Sequence, residues 1–392
     1  MNEPKIRFKG FKGEWEKKKL GAMTSVRGGY AFQSSLFQKY GIPVVRISNI
    51  LSNGNVGGDF VYYPRLDGDT NITIHEKDVV IAMSGATTGK IARVDVGDGI
   101  LYQNQRVGLF TKTGKVDYDF LYAVLNRPHF NELLNKLLTS SAQPNASSAD
   151  IESIEMGFPE DAEEQKALSN YILSLDSLIQ STTKKIESLK QVKAASLQSM
   201  FPQDGETTPR VRFKGFEGEW EKVKVRDIFY ITRGYVLAMN LVSLTKNRIN
   251  RYAVYSSQTK NNGLAGYYNN YLYEDSITWT TDGANAGDVN YRPGKFYCTN
   301  VCGVLISKEG YANKCIAECL NLVTKHYVSY VGNPKLMNNT MSEIDILIPP
   351  IQKEQQKISD YFTNLDRQIT LQTQRLEKLK QIKAACLDKM FV

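Results

Sequence analysis

The feature that most constrains this chain is an internal repeat, because self-similarity at a fixed spacing indicates one structural unit built more than once. Residues 7–20 (RFKGFKGEWEKKKL) and 212–225 (RFKGFEGEWEKVKV) match at 11 of 14 positions, at an offset of 205. Residues 164–201 and 354–391 match at 18 of 38 positions, at an offset of 190. Two blocks repeated in the same order predict two copies of one unit, each with a lead-in, a variable region and a long helix.

The two variable regions share a fainter plan. Residues 84–91 (SGATTGKI) and 282–289 (DGANAGDV) both follow an apolar, β-branched run and precede a strand-like stretch. Arg27-Gly28-Gly29-Tyr30 is echoed by Arg233-Gly234-Tyr235. These patterns predict mostly β regions with Gly-rich turns. Late helices are predicted at residues 117–138, with a break near Pro128, and at residues 311–323.

The long repeated segments are predicted to be helices with a heptad seam. Apolar residues recur in alternating steps of four and three, with one polar position, Thr182 or Gln372, at the matched place in each copy. The apolar positions are Leu168, Ile172, Leu175, Ile179, Ile186 and Leu189, then Ile358, Phe362, Leu365, Ile369, Leu376 and Leu379. Asp161 with Glu164 predicts a capping box at the start of the first helix, and Pro202 predicts its end.

Two arrangements fit these stripes. Each stripe could pack on its own globular domain, or the two helices could pair with each other. The narrowness of the stripes favours pairing, and a two-fold relation between the copies would make the pair antiparallel. The predicted fold class is α+β, with two pseudo-repeated, β-rich mixed α/β domains joined by two long helices that form an antiparallel coiled coil. The predicted divisions are residues 1–155, 156–203, 204–345 and 346–392.

Composition narrows the class of protein without fixing it. The 392 residues are 42% hydrophobic and 23% charged, which is typical of globular domains. The net charge of +8 favours an anionic partner but gives only weak support for nucleic acid. No apolar run is long enough for a membrane span, and the first residues have no signal-peptide pattern. We therefore expect a cytoplasmic protein without a membrane partner.

The repeated motifs resemble those of a known family. The paired GEWE lead-ins and the helix ends LKQVKAA and LKQIKAA are similar to the specificity subunit of type I restriction-modification enzymes. The turn SGATTGK and the segment SAQPNASSADIESIEMGFP are typical of target recognition domains in that family. The second copy departs there, because GNPKLMNNTMSEIDILIPP keeps only the outline. The resemblance covers nearly the whole chain.

The resemblance implies a division of labour. Each of two target recognition domains would read one half of a bipartite site in double-stranded DNA. The paired helices would set the spacer and dock two adenine-N6 methyltransferase (modification) subunits, and restriction (motor-nuclease) subunits would then join. The chain itself would have no catalytic residues, no metal and no cofactor. S-adenosylmethionine, ATP and Mg would belong to the partner subunits.

Candidate DNA-reading residues are Arg, Lys, Asn and Gln side chains in or beside Gly-rich turns, because these side chains pair with the edges of guanine and adenine. The predicted set is Arg27, Arg46, Asn49, Lys90, Gln103, Gln105 and Arg106 in the first copy, and Arg233, Gln258, Lys260, Asn261, Asn262, Asn285 and Arg292 in the second. For each of them, a solvated turn or cap is the alternative interpretation.

Candidate partner-binding residues lie on the repeated helix ends, which would offer two equivalent docking places. They are Leu189, Lys190, Val192 and Lys193, then Leu379, Lys380, Ile382 and Lys383. Plain coiled-coil packing is the alternative interpretation of these positions.

The sequence offers little for catalysis. SGATTGKI lacks the spacing and the final Ser/Thr of a phosphate-binding loop, so we interpret it as a tight turn that could present Lys90 to a phosphate. His75, His129 and His326 are scattered. Cys298, Cys302, Cys315 and Cys319 permit a zinc hypothesis, but their spacing favours buried thiols. A DNA-binding regulator without partners and an enzyme with an unrecognised active site are the alternative functions.

Overall fold

The computed structural model describes residues 3–97, 99–140, 145–257 and 261–392, without the Ser140 side chain. The chain divides into two compact units. Unit 1 comprises Met1–Thr183 and Arg375–Val392, and unit 2 comprises Lys184–Gln374. Each unit therefore contains the beginning of one long helix and the end of the other. No helix among the described residues has the length and apolar character needed to cross a membrane.

The first copy contributes short strands and helices. The strands are β1 Glu16–Lys19, β2 Val26–Arg27, β3 Ile42–Val45, β4 Val61–Tyr63, β5 Thr73–Ile74, β6 Val79–Ala82, β7 Ile91–Arg93, β8 Leu101–Gln103, β9 Val107–Phe110 and β10 Glu155–Phe158. The helices are α1 Leu20–Met23, α2 Tyr118–Leu125, α3 Pro128–Ser140, α4 Ser148–Ser153 and α5 Ala162–Met200.

The second copy has longer strands in its sheet. The strands are β11 Glu221–Lys224, β12 Tyr230–Arg233, β13 Tyr252–Tyr255, β14 Leu264–Tyr268, β15 Tyr273–Thr280, β16 Val289–Cys298, β17 Cys302–Ile306 and β18 Asp345–Ile348. The helices are α6 Val225–Ile228, α7 Lys314–Val323, α8 Asn338–Glu343 and α9 Gln352–Lys389.

The two copies share one strand order. The described part of unit 1 forms two four-stranded sheets, ordered β2-β9-β6-β7 and β4-β3-β8-β5. In unit 2 the corresponding strands form one six-stranded sheet, ordered β12-β17-β15-β16-β13-β14. The long strand β15 takes the places of β5 and β6, and β16 takes the places of β7 and β8. Unit 1 is therefore the same sheet divided between β5 and β6 and between β7 and β8.

A two-stranded ribbon joins each lead-in to its long helix. β1 pairs antiparallel with β10, with Glu16 opposite Phe158, and β11 pairs with β18, with Glu221 opposite Ile348. These registers follow the sequence offsets of 205 and 190. Three residues separate the ribbon from the start of α5 and of α9, so the ribbon fixes where each helix leaves its unit.

The Glu-Gln pair at the start of each long helix fastens it to the lead-in. The Glu164 carboxylate accepts two hydrogen bonds from the Arg7 guanidinium, both at 2.7 Å, and Glu354 accepts the same pair from Arg212 at 2.6 and 2.7 Å. These bonds raise the pKa of Arg7 and of Arg212. The predicted capping box is therefore wrong, because Asp161 accepts from the Glu163 amide while Glu164 turns to Arg7.

The neighbouring glutamine of each pair closes the same joint. Gln165 donates to the Pro159 carbonyl and Gln355 donates to the Pro349 carbonyl, each at 2.8 Å. Their side-chain oxygens accept from the Asp117 amide and from the Asn313 side chain, respectively, next to α2 and α7. The repeated sequence thus encodes the same contacts at the start of α5 and of α9. We call these contacts, made by the Glu-Gln pair of each long helix, the joint of each unit.

Within each unit, segments of α5 and α9 run antiparallel. In unit 1, Asp176 pairs with Lys383 at 2.5 Å, and Tyr171 lies against Cys386. In unit 2, Lys193 pairs with Asp366 at 2.6 Å, and the Ser196 and Tyr361 hydroxyls are 2.8 Å apart. Residue numbers rise on one helix as they fall on the other, which confirms the antiparallel prediction inside each unit.

The same helix residues also pack on the globular cores, so both alternatives for the stripe hold. Leu168 and Ile172 join the core of unit 1 with Trp15 and Phe120. At the helix ends, Phe391 packs on Trp15 with ring centroids 6.0 Å apart, as Phe201 packs on Trp220 at 5.7 Å in unit 2. The structure thus confirms the α+β class, the two β-rich regions and the two long helices. It also confirms the late helices at α2, α3 and α7.

Candidate nucleic-acid interface

A Gly-Tyr turn is the matched exposed feature of the two sheets. Gly29 lies against the turn after β8, where a Cβ would stand 2.2 Å from the Asn104 carbonyl oxygen. Gly234 lies against the turn after β16, where a Cβ would stand 2.1 Å from the Cys298 carbonyl oxygen. Only glycine permits this approach at either place. The structure therefore aligns Gly29 with Gly234, and it aligns Arg27 with Thr232 rather than with Arg233.

The tyrosine after each glycine is fixed by its backbone and exposed by its side chain. The Tyr30 amide donates to the Gln103 carbonyl at 2.8 Å, and the Tyr235 amide donates to the Cys298 carbonyl at 3.2 Å. Their side chains are 45% and 64% exposed. An aromatic ring held at a defined place but left in solvent suits contact with another molecule.

In unit 1 this tyrosine lies beside two of the predicted DNA-reading residues. The Gln105 amide donates to the Tyr30 carbonyl at 2.9 Å, and Gln105 and Arg106 are both exposed in the turn between β8 and β9. Lys90 is half-buried, and its ammonium donates to the Ser52 hydroxyl at 3.0 Å. Tyr30, Gln105 and Arg106 thus form one exposed cluster, which we call the unit 1 turn cluster.

Two other predicted residues of the first copy are bonded to the fold itself, because Gln103 is buried and Arg27 is half-buried against it. Gln103 is fully buried, and its amide donates to the carbonyls of Arg27 and Val107 at 2.8 Å. The Arg27 guanidinium donates to the Gln103 side chain at 3.0 Å and to the Thr73 carbonyl at 2.6 Å. Burial lowers the pKa of Arg27. These two side chains hold strands together across the two sheets of the unit.

The Asn49 and Arg46 side chains also form hydrogen bonds to the backbone. Asn49 is buried and donates to the carbonyls of Gly57 and Asp59, while its oxygen accepts from the Arg46 amide. Arg46 is half-buried and donates to the Asp59 carbonyl at 3.3 Å. Both residues shape the loop before β4.

The predicted residues of the second copy fall into three environments. Arg233, Asn261 and Asn262 are exposed, with the two asparagines in left-handed backbone conformation, and Asn285 is half-buried. Arg292 is 8% exposed and lines a cavity with Asn262 and Asn285. Gln258 and Lys260 lie outside the described residues. Asn300, which the sequence did not single out, is exposed in the unit 2 turn that matches Gln105.

The predicted partner-binding residues divide into packed and exposed positions. Leu189 is buried in the core of unit 2, Leu379 is half-buried, and Lys193 and Lys383 pair with Asp366 and Asp176. The exposed positions match between the copies. They are Lys190 and Val192 on α5, and Lys380 and Ile382 on α9.

The four cysteines of the zinc hypothesis lie in two separate apolar clusters, Cys298 with Cys302 and Cys315 with Cys319. Burial raises the pKa of Cys302 to about 11 and that of Cys298 further. No group of three or more His, Cys, Asp or Glu residues in the described parts of the chain could hold a metal ion. The cysteine geometry matches buried thiols rather than one zinc site.

These features define a two-copy protein. Its repeated lead-ins and the long helices α5 and α9, which we call the frame, carry two β-rich regions with matched exposed turns. The type I restriction modification DNA specificity domain matches residues 12–191 and 217–381. The match covers most of the chain, which therefore belongs to the family of type I restriction-modification specificity subunits, with two target recognition domains.

Relatives support the assignment over shorter stretches. A type I specificity subunit N-terminus of Mycoplasma pneumoniae is 41% identical over 126 residues, 31% of this chain and 66% of that protein. A second specificity subunit of that organism is 38% identical over 145 residues, 36% of this chain and 46% of that protein. The chain thus spans between about half and two thirds of the length of these two relatives.

A solved structure shares the fold. The S subunit of a type I restriction-modification system from M. genitalium matches 100% of this chain and 99% of its own, with a TM-score of 0.72 and 15% sequence identity. At that identity the likeness concerns the fold alone.

Proposed function

We propose that this chain directs a type I restriction-modification enzyme to a bipartite DNA site, with each unit reading one half. The long helices set the spacer between the halves and dock two adenine-N6 methyltransferase subunits, and motor-nuclease subunits join that complex. The chain performs no chemistry itself. S-adenosylmethionine, ATP and Mg bind to the partner subunits.

The observation that carries this proposal is the matched Gly-Tyr turn with different neighbours. Gly29 and Gly234 place Tyr30 and Tyr235 equivalently, at 45% and 64% exposure. The side chains around them differ, because Gln105 and Arg106 in unit 1 correspond to Asn300 and Val301 in unit 2. A shared position with different hydrogen-bonding groups suits two readers of different base sequences.

The side chains near each tyrosine suit distinct tasks. In the unit 1 turn cluster, Gln105 can pair with an adenine edge, and Arg106 can pair with guanine or a phosphate. In unit 2, Asn300 and Arg233 are the exposed groups beside Tyr235. Each tyrosine therefore has one exposed arginine near it, Arg106 in unit 1 and Arg233 in unit 2, and we expect both halves to depend on salt.

The helix surfaces support docking at two equivalent places. Val192 and Ile382 occur at the same position of the repeat, and both are exposed, at 44% and 36%. Lys190 and Lys380 flank them and are also exposed. An exposed apolar residue beside an exposed lysine, repeated once per helix, would let two copies of one partner bind in the same way.

The test is to map N6-methyladenine in a host without adenine methylation, with this chain co-expressed with the methyltransferase subunit of its system. We expect a bipartite motif with a fixed gap, absent when this chain is omitted. An associated, soluble complex that methylates no motif would contradict the proposal. Tight sequence-specific DNA binding by the chain alone would then favour a regulator.

The spacer role has its own test. One helical turn is inserted in both long helices, each between the ends that pack on the two units. At roughly 1.5 Å per residue and about 3.4 Å per base pair, the gap should grow by about one or two base pairs while both half-sites stay the same. An unchanged gap in a variant that still methylates would show that the helices do not set the spacing.

A further inference from the structure

Unit 2 contains a polar cavity at a place where unit 1 has a solid apolar core. In unit 1 the sheet face carrying Val80, Ala92 and Val94 is buried in an apolar cluster with the second sheet. Strand pairing sets Val80 opposite Ala92 and Thr278 opposite Asn290, which aligns the two faces at an offset of 198. In unit 2 the equivalent residues are therefore Thr278, Asn290 and Arg292, and they line a cavity of about 220 Å³.

Arg292 is the unusual group of this cavity, because it is a buried cation without a carboxylate partner among the described residues. It is 8% exposed, and its guanidinium lies 3.7 Å from the centre of the Tyr255 ring. Nε donates to the Thr278 hydroxyl at 3.1 Å, and Nη2 donates to the Asn262 carbonyl at 2.7 Å. Buried arginines are ordinarily paired with an acid.

Within the part of the chain that the structure describes, Arg292 has no carboxylate partner, and the Tyr255 side chain is the group that favours its charge. The carboxylate of Asp288, which also lines the cavity, is paired instead with Lys325 at 2.5 Å. The cavity thus keeps one uncompensated positive charge that is positioned by three contacts, as a preformed ligand-binding group would be.

Four asparagines line the cavity. Asn321 donates to the Val289 carbonyl, whereas the side chains of Asn262, Asn285 and Asn290 form no hydrogen bond to another residue in the described parts of the chain. Each amide offers both donors and an acceptor. The lining therefore suits a ligand with several hydrogen-bonding atoms, unlike a pocket for an apolar molecule.

The size and chemistry of the cavity suit a planar ring system. A dry cavity of about 150 Å³ holds a benzene ring, so about 220 Å³ accommodates one ring system with polar substituents. Arginine planes and amides are the groups that bind unstacked bases. A base within a duplex could not reach Arg292, because only 8% of that side chain is exposed.

We propose that this cavity binds a single nucleobase, with Arg292 and the Asn285 and Asn290 amides contacting its edge. The inference rests on the proposed DNA-reading function. The base comes either from DNA, turned out of the duplex within the half-site read by unit 2, or from a free nucleoside. Turning out a base is unfavourable because it breaks stacking and pairing, and the Arg292 and amide contacts would offset that cost.

The experiment uses the complex of this chain with its methyltransferase subunit. 2-Aminopurine is placed at each position of the half-site read by unit 2. We expect a several-fold fluorescence rise at one position, retained with a methyltransferase variant that cannot turn out its target adenine. Asn285→Ala and Asn290→Ala should each abolish the rise and weaken methylation about tenfold at sites with that half. Thr87→Ala, at the matched place in unit 1, should change neither.

The free-nucleoside source is tested on the same complex without DNA. Guanosine, adenosine, cytidine and thymidine are titrated in turn by calorimetry, and binding that Asn290→Ala abolishes would support the cavity with that source. Arg292→Met is titrated in the same way, provided that its unfolding curve matches that of the wild type. If no position brightens and no nucleoside binds, while the wild-type complex still methylates its bipartite site, the cavity proposal fails and the proposed function stands. Absence of any methylated motif would instead remove the proposed function.

Discussion

The two units of this chain carry the same joints and different sheet faces. In both, an Arg-Glu pair, a Gln-carbonyl bond and a Trp-Phe contact hold the ends of the long helices. On the sheets, Val80, Ala92 and Val94 of unit 1 correspond to Thr278, Asn290 and Arg292 of unit 2. The repeat is conserved where the helices are held, and it diverges where a base could be contacted. Recognition can therefore change without disturbing the frame.

The largest expected effect tests whether the frame is equivalent in both units. Glu164→Ala and Glu354→Ala each leave a mostly buried arginine without its partner, and breaking a buried pair costs about 3 kcal/mol or more. Chemical denaturation should show similar losses for the two variants, within about 1 kcal/mol. Glu377→Ala, in an exposed pair with Lys380, should cost less than about 1 kcal/mol. A loss confined to one unit's variant would break the equivalence.

The Gly-Tyr turns are tested by Gly29→Ala and Gly234→Ala. Each Cβ would lie within about 2.2 Å of a backbone carbonyl oxygen, so the turn must move, at a cost of about 2 kcal/mol. We expect the methylation rate of each variant to fall at least tenfold, and to do so through the half-site that its own unit reads. The measurement uses DNA substrates in which one half-site is altered at a time. Gly28→Ala is the control, because a Cβ there has no atom within 4 Å. Equal losses through both halves would contradict separate reading.

The helix contacts differ in their carboxylates. Both oxygens of Asp366 bind lysines, Lys193 at 2.6 Å and Lys314 at 2.9 Å. In unit 1, the second oxygen of Asp176 is buried and has no partner among the described residues. Asp366→Asn should therefore destabilise the chain by about 1 kcal/mol, a value reduced by partial solvent exposure, and more than Asp176→Asn does.

The Asp366 contribution should also depend on pH. Burial opposes ionisation, but Lys314 and Lys193 outweigh it and lower the pKa of Asp366 below its ordinary value. The stabilisation is thus present above the ordinary aspartate pKa of about 3.9 and is lost as the pH falls through the lower folded value. Unfolding curves of wild type and Asp366→Asn should converge below about pH 4. A difference that persisted at lower pH would assign the effect to packing.

The exposed tyrosines test contact with DNA with little change in stability. Tyr30→Ala and Tyr235→Ala should each weaken DNA binding by about tenfold, because one aromatic contact to a base contributes about 1–3 kcal/mol. Thermal unfolding should shift little for Tyr235→Ala and somewhat more for Tyr30→Ala, because the Tyr30 ring packs on Phe32 with centroids 5.0 Å apart. Tyr40→Ala, 82% exposed in unit 1 but away from the turn, should leave binding unchanged. Unchanged binding in both turn variants would remove the tyrosines from the interface.

The smallest expected effect tests the charge difference between the turn after β8 in unit 1 and the turn after β16 in unit 2. Arg106→Ala should weaken binding modestly and lower the dependence of log affinity on log salt by about one unit, as one lost phosphate contact would. Val301→Ala changes the equivalent residue of unit 2 and should leave that slope unchanged. A slope that did not change for Arg106→Ala would leave base contact as the role of this arginine.

The sequence predicted the parts of the fold that the repeat marks. Residues 7–20 and 164–201 recur, so the ribbons, the long helices and their antiparallel contacts followed from comparing the chain with itself. The Arg7–Glu164 pair was missed, although both residues recur as Arg212 and Glu354. A search for oppositely charged residues conserved between the two copies could have found it.

The candidate site was less predictable, because residue type does not say which way a side chain points from a short strand. Gln103 and Gln105 are two residues apart, yet β8 ends at Gln103, which is buried, whereas Gln105 is exposed in the following turn. Arg292 and Asn290 share the cavity face because alternate residues of β16 point to the same side of the sheet. Gln105, Arg106 and Arg233 stay predictions as DNA contacts.

The most direct test of the central claim is to map the methylated motif of a chimera. Residues 225–344, between the strands of the second ribbon, are replaced by residues 20–154, so that the joints of both units are kept. A chimera that still co-purifies with the methyltransferase subunit should methylate a site whose two halves are both the one read by unit 1. Methylation that retained the original second half would contradict the division between a shared frame and separate readers.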